Sequence, residues 1–201
     1  MNKKTKEPTL LELLREKTKG FNDALPVTDH KKRIITDKAT VLGFLRGGTK
    51  DNRGRTFFDI IHCSDEQMEK CHDQIQWIFP LHETSKFAIV YPILTKEMVD
   101  EAMVDDQIIY NMIIAQDRMQ EFLGIGEYSN EKKQKQWCQN KNHNLLRITR
   151  VIRSLRFFGL ELEANNFFRK AYAVGKKFGL DQSTFLFWEK ALVDDVWKSL
   201  R

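Results

Sequence analysis

Proline and glycine are scarce in this 201-residue chain, four and ten residues respectively, and they follow no repeat. Collagen-like and low-complexity classes are excluded on that ground. Cysteine is scarcer still: Cys63, Cys71 and Cys138 form an odd set without a Cys-x-x-Cys pair. A disulfide scaffold is therefore excluded, and the thiols read as free in a reducing cytoplasm. Also absent is an apolar run of roughly 18 uncharged residues, so no transmembrane segment is expected. The start, Met1-Asn2-Lys3-Lys4, imitates a secretory leader, but Glu12, Arg15 and Glu16 interrupt the apolar stretch that should follow. What the chain does have is 14 Phe and 4 Trp, too many large apolar side chains for a disordered polymer. The length suits one domain with a buried core.

Catalytic signatures are missing too. The run 43–50, G-F-L-R-G-G-T-K, resembles a phosphate loop only loosely: its last pair is reversed and no strand leads into it. Gly124-Ile125-Gly126 reads as a helix stop. The five histidines, His30, His62, His72, His82 and His143, never fall three or four apart, and Cys63, Cys71, His62 and His72 do not match zinc spacing. No cofactor and no metal are expected.

Charge is segregated along the chain. Residues 28–55 hold eight basic and three acidic side chains, 59–121 hold four and thirteen, and 127–156 hold eight and two. Two readings stand: acidic helices neutralise basic ones inside the fold, or a basic face stays open to an anionic partner.

The hydrophobic periodicity is that of helices, and no period-2 run of six appears. Helices are expected over 9–19, from Lys38 after the cap Asp37 to Arg46, and briefly over 57–61 behind Thr56. Ser64 and Gln67 fit a capping box that opens a helix with the stripe Met68, Cys71, Ile75 and Ile78, stopped by Pro80. Further helices are expected from Lys96 to Val104, from Asp105 or Asp106 to Leu123, from Asn142 or Asn144 to Phe158, from Leu162 to Phe178, and from Asp181 or Ser183 to Leu200. Residues 127–141 read as a polar, basic connection, and 81–92 as a connection with room for a strand but no visible partner. The sum is an all-α, compact multi-helix bundle of about seven to nine helices. Residues 1–35 would form an N-terminal arm and 36–201 a single domain.

Two blocks are more specific. The first, His72-Asp73-Gln74-Ile75-Gln76-Trp77-Ile78-Phe79-Pro80-Leu81, sets an aromatic pair beside His72 and Gln76. The second runs from Asn142-His143-Asn144-Leu145-Leu146-Arg147 through Leu155, with Trp137 upstream. Together, in this order, they resemble the opioid growth factor receptor conserved region. The likeness covers residues 38–175 and suggests a short, single-domain member. The resemblance implies a binding domain whose animal members are described as receptors for an opioid pentapeptide acting at the nucleus. It implies no catalytic residues.

On the helix from Leu145 to Phe158, apolar side chains span about 20° to 160° from Arg147, and Arg147, Arg150, Arg153, Arg156 and Ser154 fill the other half. Phe157 breaks that polar half, which predicts neighbours on more than one side.

The leading reading is a non-enzymatic domain binding a peptide or protein, with His72, Gln76, Trp77, Asn142, His143, Asn144 and Arg147 as its candidate surface. Trp77 would offer an apolar wall and Arg147 would receive a carboxylate. The first alternative is nucleic-acid binding through Arg147, Arg150, Arg153, Lys132, Lys133 and Lys135. The second is an enzyme with His72 or His143 as general base. Oligomeric state leaves no mark in the sequence.

Overall fold

The computed structural model describes residues 33–85 and 88–196. The helix expected over 9–19 and the arm up to residue 32 lie outside them. Among the described residues ten α-helices carry the fold: α1 (Lys38–Leu45), α2 (Phe57–Ile61), α3 (Asp65–Lys70), α4 (Gln74–Ile78), α5 (Lys96–Ala102), α6 (Asp106–Leu123), α7 (Glu131–Trp137), α8 (Asn144–Phe157), α9 (Glu161–Lys177) and α10 (Gln182–Val193). The chain is mostly helical, as its periodicity predicts.

The helix starts follow local chemistry. Asp37 accepts from the Thr40 amide at 2.8 Å, and Asp105 from the Ile108 amide at 3.1 Å. Thr56 with Asp59 and Ser64 with Gln67 form reciprocal capping boxes. Helix α6 ends at Gly124 in the left-handed conformation, φ 64°.

Three local features differ from the periodic reading. The stripe Met68, Cys71, Ile75 and Ile78 does not lie on one helix: the backbone leaves the helical region at Cys71 (φ −95°, ψ 89°) and re-enters at Gln74. Residues 131–137, read as connection, form α7, capped by Asn130 accepting from the Lys133 amide at 3.1 Å. The last helix stops at Val193 rather than near Leu200, because Asp194 turns extended (ψ 138°). The connection 81–92, read as having room for a strand, holds β2 (Val90–Pro92). Its partner is β1 (Arg33–Ile35), the last three residues of the segment read as the N-terminal arm, in parallel register Arg33↔Val90, Ile34↔Tyr91, Ile35↔Pro92.

The core is continuous. Ile108, Met112, Ala115, Met119 and Leu123 form one fully buried stripe on α6. On α8, Ile148, Val151, Ile152 and Leu155 are fully buried, and so is Phe157 on the opposite side. Helix α8 is therefore enclosed, with α9 contributing Phe167 and Ala171 and α10 contributing Phe185 and Trp188. Each large side chain removed from water adds about 1.5–3 kcal/mol.

Five of the helices have eight residues or fewer and precede β2 or follow it directly, too short to persist alone. Their exposed C-terminal carbonyls are met by side chains from the longer helices. Asn111 donates to the Leu45 carbonyl at 2.6 Å, closing α1. Arg118 donates to the Ile61 and Cys63 carbonyls at 3.1 and 3.0 Å, closing α2. Trp137 does the same for α6 through the Leu123 carbonyl at 2.8 Å.

Candidate functional site

Helix α8 extends this closing pattern. Arg147 donates to the Met68 and Glu69 carbonyls at the end of α3, at 3.0 and 3.3 Å. Arg150 donates to the Phe79 carbonyl at 3.0 Å and Ser154 to the Pro80 carbonyl at 3.0 Å, just beyond α4. Arg156 donates to the Ala191 and Asp194 carbonyls at 2.9 and 2.7 Å, at the end of α10. The polar half of α8 is thus turned inward onto neighbouring chain ends. Here lies the cause of the break at Cys71. A guanidinium from 79 residues downstream takes the α3 carbonyls, and the chain is free to turn before α4.

Where α3 meets the start of α8, polar groups converge. Glu69 accepts from Asn144 Nδ2 at 3.1 Å and lies 3.5 Å from Arg147 Nη1. Its other oxygen is 3.1 Å from His143 Nε2, an ion-pair approach outside hydrogen-bond alignment. His143, then Asn144 and Arg147, hold the Glu69 carboxyl down to about 2 against the opposing effect of burial. Arg147 also donates to Asn144 Oδ1 at 2.9 Å. Its side chain is 6% exposed, and burial lowers its pKa. His72 is exposed, with Nδ1 3.4 Å from Arg147 Nη2 and its ring edge-on to His143 at 5.0 Å. Partial burial and the neighbouring Arg147 and His143 charges lower the His72 pKa, which favours its neutral form. Asn142 Oδ1 accepts from the Asn144 amide at 2.9 Å and so prepares the first turn of α8.

Four of the seven candidate surface residues are buried rather than exposed: Asn144 and Arg147, tied to Glu69 and α3, and Gln76 and Trp77. Trp77 is 1% exposed, packed on Phe44 with ring centroids 5.0 Å apart, and donates from Nε1 to Asn52 Oδ1 at 3.0 Å. Gln76 is buried; oriented as a donor, its amide reaches the Asp73 and His72 carbonyls at 2.9 and 2.6 Å. The opposite orientation sets its oxygen against those carbonyls for one 3.4 Å contact with Ser85, and repulsion disfavours it. Glu69 was not singled out from sequence. Its signal was the charge segregation along the chain, under the reading in which acidic helices neutralise basic ones inside the fold.

Five of the six basic residues of the nucleic-acid reading have protein partners. Arg153 forms a two-pronged pair with Glu83, one arm at 2.7 Å. Lys133 pairs with Asp65 at 2.7 Å and Lys135 with Glu131 at 2.7 Å, while Lys132 is exposed. Behind Arg147 lies a cavity of about 10 Å³, at the limit for one water. A shallow groove of about 520 Å³ runs between the α2–α3 junction and α6, lined by Ile61, Ile114, Asp65, Asp117 and Glu121. Among the described residues no three His, Cys, Asp or Glu side chains are arranged to hold a metal, and no helix is long and apolar enough to cross a membrane.

Comparison with known proteins adds one family. The model of the "Opioid growth factor receptor (OGFr) conserved region" matches residues 56–189. Mouse opioid growth factor receptor-like protein 1 is 31% identical over 105 residues, covering 48% of this chain and 22% of that protein. The Xenopus tropicalis protein of the same name is 32% identical over 105 residues, covering 48% of this chain and 20% of its own. The human opioid growth factor receptor is 33% identical over 104 residues, covering 47% and 15%. The chain thus spans about a fifth or less of these relatives. No solved structure matches.

Proposed function

The chain belongs to the opioid growth factor receptor conserved-region family, and on that premise we propose that it is a non-enzymatic binding domain for a peptide or protein. The observation that carries the reading is the extent of the match: the family's conserved region, residues 56–189, runs from the cap of α2 into α10 and takes in most of the helical body. The ligand-facing groups of this reading are His72, Asn142 and His143 around Glu69, with Asn144 buried behind them and bonded to Glu69 and Arg147. Glu69 and His143 have side chains 45% and 39% exposed, and Glu69 offers a carboxylate that stays ionised. Arg147 positions these groups, since its donors are taken by protein acceptors, and Gln76 and Trp77 support the segment from within.

The nucleic-acid reading loses its basis, because Arg147, Arg150 and Arg153 all point at acceptors of the same chain. Opioid growth factor titrated calorimetrically into the full chain tests the proposal, with single-stranded RNA at low salt as the parallel arm. The expected result is saturable peptide binding that falls about tenfold or more in the His72→Ala/His143→Ala variant, with its urea midpoint retained. Absence of peptide binding overturns the peptide reading. RNA binding that weakens steeply with salt would restore the nucleic-acid one.

A further inference from the structure

The groove between the α2–α3 junction and α6 has an apolar floor and an acidic wall. On the floor Ile61 is buried and Ile114 half-buried. The helical repeat carries the apolar surface back along the outside of α6. Tyr110 and Ile113, 60% and 39% exposed, stand one turn before Ile114 and Asp117 on the same face. On α2, Phe58 is exposed one turn before His62, which lines the groove, and the two rings stack with centroids 6.3 Å apart. Exposed aromatic and aliphatic side chains gathered in one patch and rimmed by charge mark a contact surface for another protein.

The acidic wall holds more carboxylates than the fold neutralises. Arg118 spends its guanidinium internally, on the Ile61 and Cys63 carbonyls, on Asp65 at 2.7 Å and on Glu121 at 3.3 Å. Lys133 takes the second Asp65 oxygen at 2.7 Å. Asp117 has a neutral partner, the Tyr128 hydroxyl at 2.5 Å, and no cation pairs with it among the described residues. Glu121, its side chain 50% exposed, keeps only the longer Arg118 arm as an ion pair. Such a rim repels phosphate backbones and anionic lipid surfaces, and it favours a cation that brings its own apolar surface.

We propose that this groove docks a basic amphipathic helix of a partner protein. Helix α6 runs roughly 16 Å from Tyr110 to Glu121, the length of about three turns of such a helix. Apolar side chains of the partner would cover Phe58, Tyr110 and Ile114, and Lys or Arg further along it would reach Asp117 and Glu121. The apolar contact supplies the affinity, and the rim charges set orientation and speed of encounter. The inference does not rest on the peptide reading of the Glu69–His143 patch, because none of these side chains belongs to that patch.

The test titrates the full-length chain into a fluorescein-labelled peptide of about 14 residues, four helical turns, in which Leu-Lys-Lys-Leu-Leu-Lys-Leu occurs twice, and follows anisotropy. The same peptide with Glu in place of Lys is the charge-reversed control. The expected result is saturable binding of the Lys peptide alone. Asp117→Asn/Glu121→Gln should raise its Kd about tenfold and Tyr110→Ala about fivefold. Urea midpoints should be retained, since all three side chains are exposed. Glu97→Gln/Asp100→Asn removes two exposed carboxylates from α5 and should leave the Kd unchanged. Absence of saturable binding overturns the proposal. So does wild-type affinity in the Asp117→Asn/Glu121→Gln variant, or an equal loss in the α5 variant, the mark of diffuse charge attraction.

Discussion

Replacing Arg147 with Met keeps the stem and removes the guanidinium, which isolates what that group does for α3 and α4. The loss leaves the Met68 and Glu69 carbonyls and the Asn144 amide oxygen unmet around a residue 5% exposed. A buried acceptor stranded in this way costs about 1–3 kcal/mol. Two effects reduce the sum: the desolvation burden of the cation disappears, and the Cys71 turn can relax. A net loss of about 3–4 kcal/mol is expected, equivalent to a fall in Tm of roughly 8–15 °C for a chain of this size. The Glu69 contact contributes little to that figure, since its side chain is 45% exposed and an exposed pair is worth about 1 kcal/mol or less. Glu69→Gln alone should therefore cost far less than Arg147→Met, and Arg147→Lys, a point charge without the fork, should fall between them. Urea titration followed by tryptophan fluorescence gives the midpoints, with unchanged slopes showing that only stability moved. A midpoint for Arg147→Met within about 1 kcal/mol of wild type would refute the carbonyl-closing account.

Acid sensitivity should concentrate at Glu69. Its carboxyl is depressed from 4.5 to about 2 in the folded chain, so its stabilisation is present above about pH 4.5 and is lost as pH falls toward 2. Discounted for solvent screening this amounts to about 1 kcal/mol, and Glu69→Gln should flatten the urea-midpoint profile in that window; parallel profiles would contradict the assignment. Gly124→Ala and Gly179→Ala place a side chain at similar positive φ, 64° and 70°. At Gly124 the new Cβ also meets Lys133 Cβ at 2.9 Å and the Asn130 carbonyl at 3.0 Å, whereas at Gly179 it meets open space. Both should destabilise, Gly124→Ala by about 1–2 kcal/mol more, as read from thermal unfolding; equal losses would leave the close approach without effect.

The parts of the fold written locally were legible. Asp37, Thr56, Ser64 and Asp105 cap helices because a cap involves residues two or three apart, and Gly124 stops α6 for the same reason. The enclosure of α8 was announced by Phe157 in its polar half. What escaped was imposed from a distance. The stripe Met68–Ile78 reads as one helix because the group that breaks it sits on α8. A three-residue parallel pair such as β1 and β2 offers too short a pattern to recognise, and the basic run 131–137 hides a helix that hangs on Trp137 and Gln134 closing α6. His72, His143, Asn144 and Arg147 were singled out from two separate blocks, and the structure places them together. Trp77 in the same block went into the core, since aromatic content marks burial and recognition alike.

The 79 residues between Met68 and Arg147 also impose an order of events on synthesis. At about 5–20 residues per second the ribosome delivers Arg147 roughly 4–16 s after Met68. Throughout that interval the nascent segment 64–78 carries an intact capping box and an unbroken apolar stripe, and nothing yet made can claim the carbonyls at its middle. The emerging chain favours one straight helix there, and the bend at Cys71 is a late edit, written when α8 arrives.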